Sequence, residues 1–289
     1  MFENLVINGG LMKLLSVTGC IKYFEENNIT NEFKNYYATS AGCIISLLMI
    51  LDYKYSEIYD FITNFDFKKI LKPDITNFLS GLYLVDYDKP VNFVKALLTF
   101  KGYDENITML ELYEKTQKKF TITCISLGKK QVHYYNYLNQ PNLPIYLSIL
   151  MSSCVFGIFK PVFWEGDLYL DGGMCDNLPL SQISFKDYDK TLCIKTSAKT
   201  NVKDFTPDFV YKNIFEYMYD IMCFYENYNI NHQCDNIINI KLSDSKDNSI
   251  FSCSFLETKE DYDHMINIAY EETRMFFENK TKEENTKNL

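Results

Sequence analysis

Apolar residues recur along this chain in two alternating rhythms, short unbroken runs and longer stretches spaced three and four apart. Leu5 to Ile7 is a run of the first kind, predicts a buried strand, and ends in Asn8-Gly9-Gly10. Val17, Cys20, Ile21 and Phe24 then keep helical spacing until Asn27-Asn28 stops them. Tyr36 to Thr39 predicts a second strand, Ser40 a corner, and the apolar stretch to Leu51 a buried helix. From Ser56 to about Leu84 the positions Ile58, Phe61, Ile62, Phe65, Ile70 and Leu71, interrupted by Pro73, predict short helices that either belong to the core or cover a lipid-sized cleft.

Further on, Thr108 and Glu111 form a capping box that starts a helix running to about Lys119. Phe120 to Ser126 and Gln131 to Tyr137 read as a hairpin turned at Gly128-Lys129. A helix over about Pro144 to Ser153, strands over Leu168 to Leu170 and Thr191 to Thr196, and a long helix over about Pro207 to Tyr228 follow. The strand Ile237 to Leu242 comes next, then a last helix from about Lys259. Strands alternating with helices in this way predict an α/β protein, a three-layer sandwich around a mostly parallel central sheet. The expected organisation is one domain over 1–279 with a charged flexible tail over 280–289.

Composition narrows the function. With 47% hydrophobic residues the 289-residue chain can close one large core. A net charge of -9, with Arg274 the only arginine, argues against nucleic acid and against attraction to an anionic membrane, so any transient contact with a membrane surface must be apolar. The first strand begins almost at once and no run reaches membrane-spanning length, which predicts no signal peptide, no transmembrane helix and a cytoplasmic location. Nine cysteines without Cys-x-x-Cys pairs fit reduced thiols rather than disulfides or zinc. The wealth of Asn, Lys, Ile, Tyr and Phe points to an AT-rich genome, such as that of a large DNA virus.

Three stretches carry candidate chemistry, and seven of the eleven glycines (9, 10, 19, 42, 157, 172 and 173) lie in or beside them. Ser40, flanked by Ala38, Ala41 and Gly42 between a strand and a helix, has the layout of a nucleophile elbow, against an ordinary βα turn as the plainer alternative. The turn at Gly9-Gly10 aims backbone N–H groups at an anion, either a phosphate or the oxyanion of acyl transfer, unless it is purely structural. Neither phosphate-binding glycine motif is present. Asp171, before Gly172 and Gly173 at the end of an apolar strand, is either a sheet-edge acid or the start of an Asp-Gly turn.

Taken together these stretches resemble the patatin-like phospholipase family. Leu5-Val6-Ile7-Asn8-Gly9-Gly10-Leu11-Met12-Lys13 stands at that family's oxyanion loop, Thr39-Ser40-Ala41-Gly42 at its nucleophile and Asp171-Gly172-Gly173 at its Asp-Gly-Gly motif. The resemblance runs to about Leu180 and includes Ser152 to Pro161 and Asp176-Asn177-Leu178-Pro179. It implies a patatin-like fold and a lipid acyl hydrolase acting on phospholipid or other acyl ester substrates. It also implies a Ser40-Asp171 dyad, an oxyanion hole at Gly9, Gly10 and Leu11, support from Lys13, Ala38, Gly42, Gly172 and Gly173, and neither metal nor cofactor. Ala38 stands where the family has a glycine, and so do Leu11 and Leu14. Leucine at 11 costs about 1 to 2 kcal/mol if the backbone there needs positive φ. Two alternatives remain: an α/β-hydrolase triad completed by His232 or His264, against the plainer reading of His133, His232 and His264 as structural or surface residues, and a degenerate relative that binds lipid or a protein partner without turnover.

Overall fold

In a computed structural model that describes residues 2–67, 72–198, 234–242 and 258–287, eight strands form one sheet. They are β1 (Asn4–Ile7), β2 (Asn35–Thr39), β3 (Lys119–Ser126), β4 (Gln131–Tyr135), β5 (Val162–Trp164), β6 (Asp167–Asp171), β7 (Thr191–Ala198) and β8 (Ile237–Leu242). Their order is β5-β6-β3-β2-β1-β7-β8, with β4 also paired to β3. The centre, from β3 through β2, β1 and β7 to β8, is parallel, and β4, β5 and β6 add an antiparallel flank.

One feature of the register sets up the site. Ile122 and Thr123 pair with β2 on one edge of β3 and with β4 on the other. From Cys124 onward β4 keeps its edge, so β6, which pairs with Cys124 to Ser126, must occupy the edge that β2 has just left. Thr39 lies opposite Thr123 and Asp171 opposite Cys124. The carboxyl ends of β2 and β6 therefore meet head to head.

Strand alternation divides the core. Leu5, Ile7, Tyr36, Ala38, Leu192 and Ile194 point into the large core beneath the helices, whereas Val6, Tyr37 and Cys193 join Leu180 and Ile183 on the opposite face. That second face is covered by 3-10 turns over Leu180–Gln182 and Phe185–Lys190. The helices are α1 (Thr18–Glu26), α2 (Ala41–Ile50), α3 (Tyr55–Asn64), α4 (Ile75–Gly81), α5 (Asp88–Phe100), α6 (Met109–Thr116), α7 (Ile145–Ser153) and α8 (Lys259–Lys287). The expected capping box forms, with Thr108 Oγ1 accepting from Glu111 N at 3.3 Å and Glu111 Oε2 accepting from Thr108 N at 2.9 Å. That helix ends at Thr116, earlier than the pattern suggests, because Gln117 turns left-handed. No helix among the described residues is long and apolar enough to cross a membrane.

Of the expected charged tail over 280–289, residues 280–287 continue α8 as helix. Lys280 holds this end down, its ammonium 4.3 Å from the centre of the Phe2 ring and 2.6 Å from Asn236 Oδ1. The helix expected over Pro207 to Tyr228 and the residue His232 lie outside the described residues, as do Ile70 and Leu71.

Candidate active site

Ser40 follows β2 directly and caps α2 with φ 56° and ψ -133°, a conformation that side chains other than glycine's avoid. The corner is held from both sides. Ser40 N–H donates to Ser152 Oγ at 2.8 Å, and Ser152 Oγ donates in turn to Thr123 O at 2.6 Å, so the end of α7 ties the elbow to β3. A Cβ at Gly42 would lie 2.5 Å from Asn8 O, which is why the first turn of α2 can pass so close to the end of β1.

The glycine turn packs against this corner. A Cβ at Gly9 would stand 2.7 Å from the Cβ of Ser40. The Gly9 peptide is clamped by Asn177, whose Oδ1 accepts from Gly9 N at 2.8 Å and whose Nδ2 donates to Gly9 O at 3.3 Å. The Gly9 N–H is thus engaged within the protein, while nothing among the described residues accepts from Gly10 N–H. Asn8 fixes the base of the turn to β7, donating to Thr196 O at 3.0 Å and accepting from Thr196 N at 3.0 Å. Leu11 begins a 3-10 helix over Leu11–Val17 and is not among the residues with positive φ, so leucine carries no left-handed penalty there. Leu14 is buried, 2% exposed, and faces the cavity described below.

Asp171 closes β6 and is buried, only 4% exposed. Its N–H donates to Cys154 O at 3.1 Å and its Oδ1 accepts from Gly173 N at 2.6 Å. The Asp-Gly turn expected as the plainer reading therefore forms and uses one carboxylate oxygen. The other oxygen, Oδ2, is buried and has no closed hydrogen bond. Burial raises the Asp171 pKa from the ordinary 3.8 to about 6, and the neighbouring Ser40 hydroxyl and the Gly173 N–H pull against that rise. A buried acid lacking a full set of donors is costly in a fold, and such groups concentrate at functional sites.

Ser40 also lines an apolar cavity of about 160 Å³. Ile44 and Leu48 of α2, Ile58, Phe61 and Ile62 of α3, and Phe93 and Leu97 of α5 form much of its wall. Phe61, Phe65, Phe67 and Phe93 interlock over it, with ring centres 4.8 to 6.4 Å apart. The stripe expected either as core or as a cleft cover does both: Ile58 and Ile62 are buried, and both also face the cavity. Among the lining residues Lys160 carries the charge, its Nζ 3.6 Å from Asp86 Oδ2 and set over the rings of Tyr83 and Tyr87.

Neither His133 nor His264 bonds to Ser40 or Asp171. His133 stacks on Tyr135 of its own strand, and His264 lies on the exposed side of α8. Among the described residues no three His, Cys, Asp or Glu side chains converge as metal ligands. The structure thus brings Ser40, the Gly9-Gly10 turn, Gly42 and Asp171 together. It adds two residues, Ser152 and Asn177, that the sequence marked only as parts of longer stretches. Nothing in a serine at a helix end or an asparagine after a turn announces a partner more than a hundred residues away.

A sheet with a parallel centre, whose strands β1 and β2 end in a glycine turn and a strained serine corner packed against each other, the serine lining an apolar cavity, is the α/β class in which functional sites collect at the strands' carboxyl ends. Within that class the chain belongs to the patatin-like phospholipase family, whose model, described as Patatin-like phospholipase, matches residues 5–183. Membership supports lipid hydrolysis as the general activity. An uncharacterised protein of Acanthamoeba polyphaga mimivirus is 27% identical over 208 residues, spanning 70% of this chain and 67% of that protein. A probable lipid hydrolase of Invertebrate iridescent virus 6 is 25% identical over 195 residues, 65% of each chain. Both relatives come from large DNA viruses, the kind of genome the residue usage suggested.

Among solved structures, VipD from Legionella pneumophila superposes with a TM-score of 0.63 at 15% identity, covering 96% of this chain and 67% of that one. ExoU from the Pseudomonas aeruginosa complex with SpcU superposes with a TM-score of 0.54 at 14% identity, covering 96% and 51%. These two share the fold. The chain spans about two thirds of its viral relatives and about half of ExoU.

Proposed function

We propose that the protein is a lipid acyl hydrolase in which Ser40 is the nucleophile and Asp171 the general base. The observation that carries this reading is the head-to-head meeting of β2 and β6 on one edge of β3, which sets the serine corner beside a buried carboxylate with a spare oxygen. Asp171 Oδ2 takes the hydroxyl proton as Ser40 Oγ bonds to the ester carbonyl carbon. The N–H groups of Gly10 and Leu11 hold the resulting oxyanion, and Gly9 shapes the turn with its own N–H bound to Asn177. Collapse breaks the bond to the alcohol, which leaves with the proton from Asp171. Water then repeats the sequence on the acyl-enzyme: Asp171 accepts its proton, and Ser40 recovers one as the fatty acid departs. The acyl chain lies in the apolar cavity.

A carboxylate of ordinary pKa is a weak base for a serine hydroxyl. Burial, by raising Asp171 to about 6, brings its proton affinity nearer to neutral pH. The competing reading, a site that binds lipid without turning it over, is favoured by the occupied Gly9 N–H. A fluorescent serine-directed phosphonate separates the two. The parent protein should label and Ser40→Ala should not, and Asp171→Asn should hydrolyse short acyl esters about a thousandfold more slowly with its fold retained. A parent that stays unlabelled while folded and monodisperse would establish the binder instead.

A further inference from the structure

The core leaves α4 unused. None of its residues is buried, and Ile75 and Leu79, with Leu82 at its C-cap, lie four and three apart on one face, 64%, 82% and 70% exposed. Leu82 also takes the left-handed conformation, φ 58°, at a position where glycine or asparagine is usual. A leucine placed there is disfavoured by its backbone, and its side chain is left exposed. Just beyond it, the N–H groups of Leu84 and Val85 donate to Ile158 O at 3.0 and 2.8 Å, and Lys160 N donates to Val85 O at 3.1 Å. This bridge fastens α4 to the loop that carries Phe156, itself 56% exposed, and Phe159, which faces the Ser40 cavity.

We infer that Ile75, Leu79, Leu82 and Phe156 form a surface that inserts into a phospholipid bilayer and passes an acyl chain to the cavity beyond the bridge. The inference rests on the lipid-hydrolase reading for its purpose. Continuity argues for a bilayer as the occupant: the backbone bridge joins the segment that carries Leu82 to the loop that carries both the exposed Phe156 and the cavity-lining Phe159, so docking through the patch brings a wall of the Ser40 cavity to the lipid surface. Charge sets the kind of bilayer. A chain of net charge -9 has no general attraction to anionic lipid, so hydrocarbon insertion into a zwitterionic surface is the mode that fits.

Binding is read without turnover by co-sedimenting the Ser40→Ala protein with phosphatidylcholine vesicles, with and without Leu79→Glu and Leu82→Glu. The charged pair should weaken vesicle binding by about tenfold or more, and Leu79→Ser with Leu82→Ser should weaken it less. With Ser40 intact, hydrolysis of vesicle lipid should fall in parallel, while a water-soluble short acyl ester is cleaved within about twofold of the parent rate. Unchanged vesicle binding in the charged pair overturns the proposal. So does a parent that elutes as a dimer which the charged pair converts to monomer, since a second copy would then cover the face. If both esters resist hydrolysis while the charged pair still loses the vesicles, the docking surface stands and the hydrolase reading falls.

Discussion

Ser40 and Asp171 each hold a state that a protein built only for stability would avoid. The serine occupies a glycine-like backbone conformation, and the aspartate keeps a buried oxygen without a donor. The aspartate's state predicts a pH dependence in two measurements. Below about pH 3.8 Asp171 is protonated in both folded and unfolded chains and contributes nothing to the difference. Between that pH and about 6 the unfolded chain gives up the proton first, so stability falls as pH rises, and above about 6 the full penalty is present. A shift of about two units corresponds to roughly 3 kcal/mol. Asp171→Asn should therefore raise the thermal midpoint at about pH 8 by several degrees and leave it nearly unchanged at about pH 4, read by circular dichroism. Catalysis runs the other way, since the base must be unprotonated: kcat/KM of the parent should drop about tenfold per pH unit below about 6.

At the scale of elements, the site is made where strand ends and helix ends converge. The elbow needs β2 to stop at Thr39, α2 to start against β1, and α7 to present Ser152 between them. Ser152→Ala leaves the Ser40 N–H and the Thr123 carbonyl without their shared partner in a buried position. It should cost about 1 to 3 kcal/mol in urea denaturation and lower kcat more than it raises KM, because the corner loosens while the cavity wall stays. A Ser152→Ala protein with unchanged kcat would show that α2 and the glycine turn suffice to set the corner. The glycine turn is held by the same logic, with Asn177 gripping one peptide through two bonds and Asn8 pinning its base to β7.

Over the whole molecule, a parallel centre carries the serine and the glycine turn, an antiparallel flank brings back the aspartate, and α8 ties Phe2, just ahead of the first strand, to the first helix. Phe276 and Phe277 pack on Phe2, Tyr23 and Phe24, and Lys280 extends that contact past the point where the pattern suggested a loose tail. Lys280→Ala should accordingly lower the unfolding free energy by about 1 kcal/mol, seen as a drop in thermal midpoint with activity at low temperature unchanged. An effect indistinguishable from zero would return this end of α8 to the role of a solvated tail. Periodicity marked most of the segments that became strands and helices, because burial against a core imposes periods of two and 3.6, but it left β5 and α5 unmarked, and the start of α6 came from its capping box. The order of the motifs, Gly9-Gly10, Ser40 and Asp171-Gly172-Gly173, carried the family. Tertiary structure decided what no local pattern encodes: that β6 takes over the edge β2 leaves, that the Gly9 N–H is already engaged, and that Leu14 lines a cavity. These depend on contacts between residues far apart in sequence, whose free energies exist only once the sheet has closed around them.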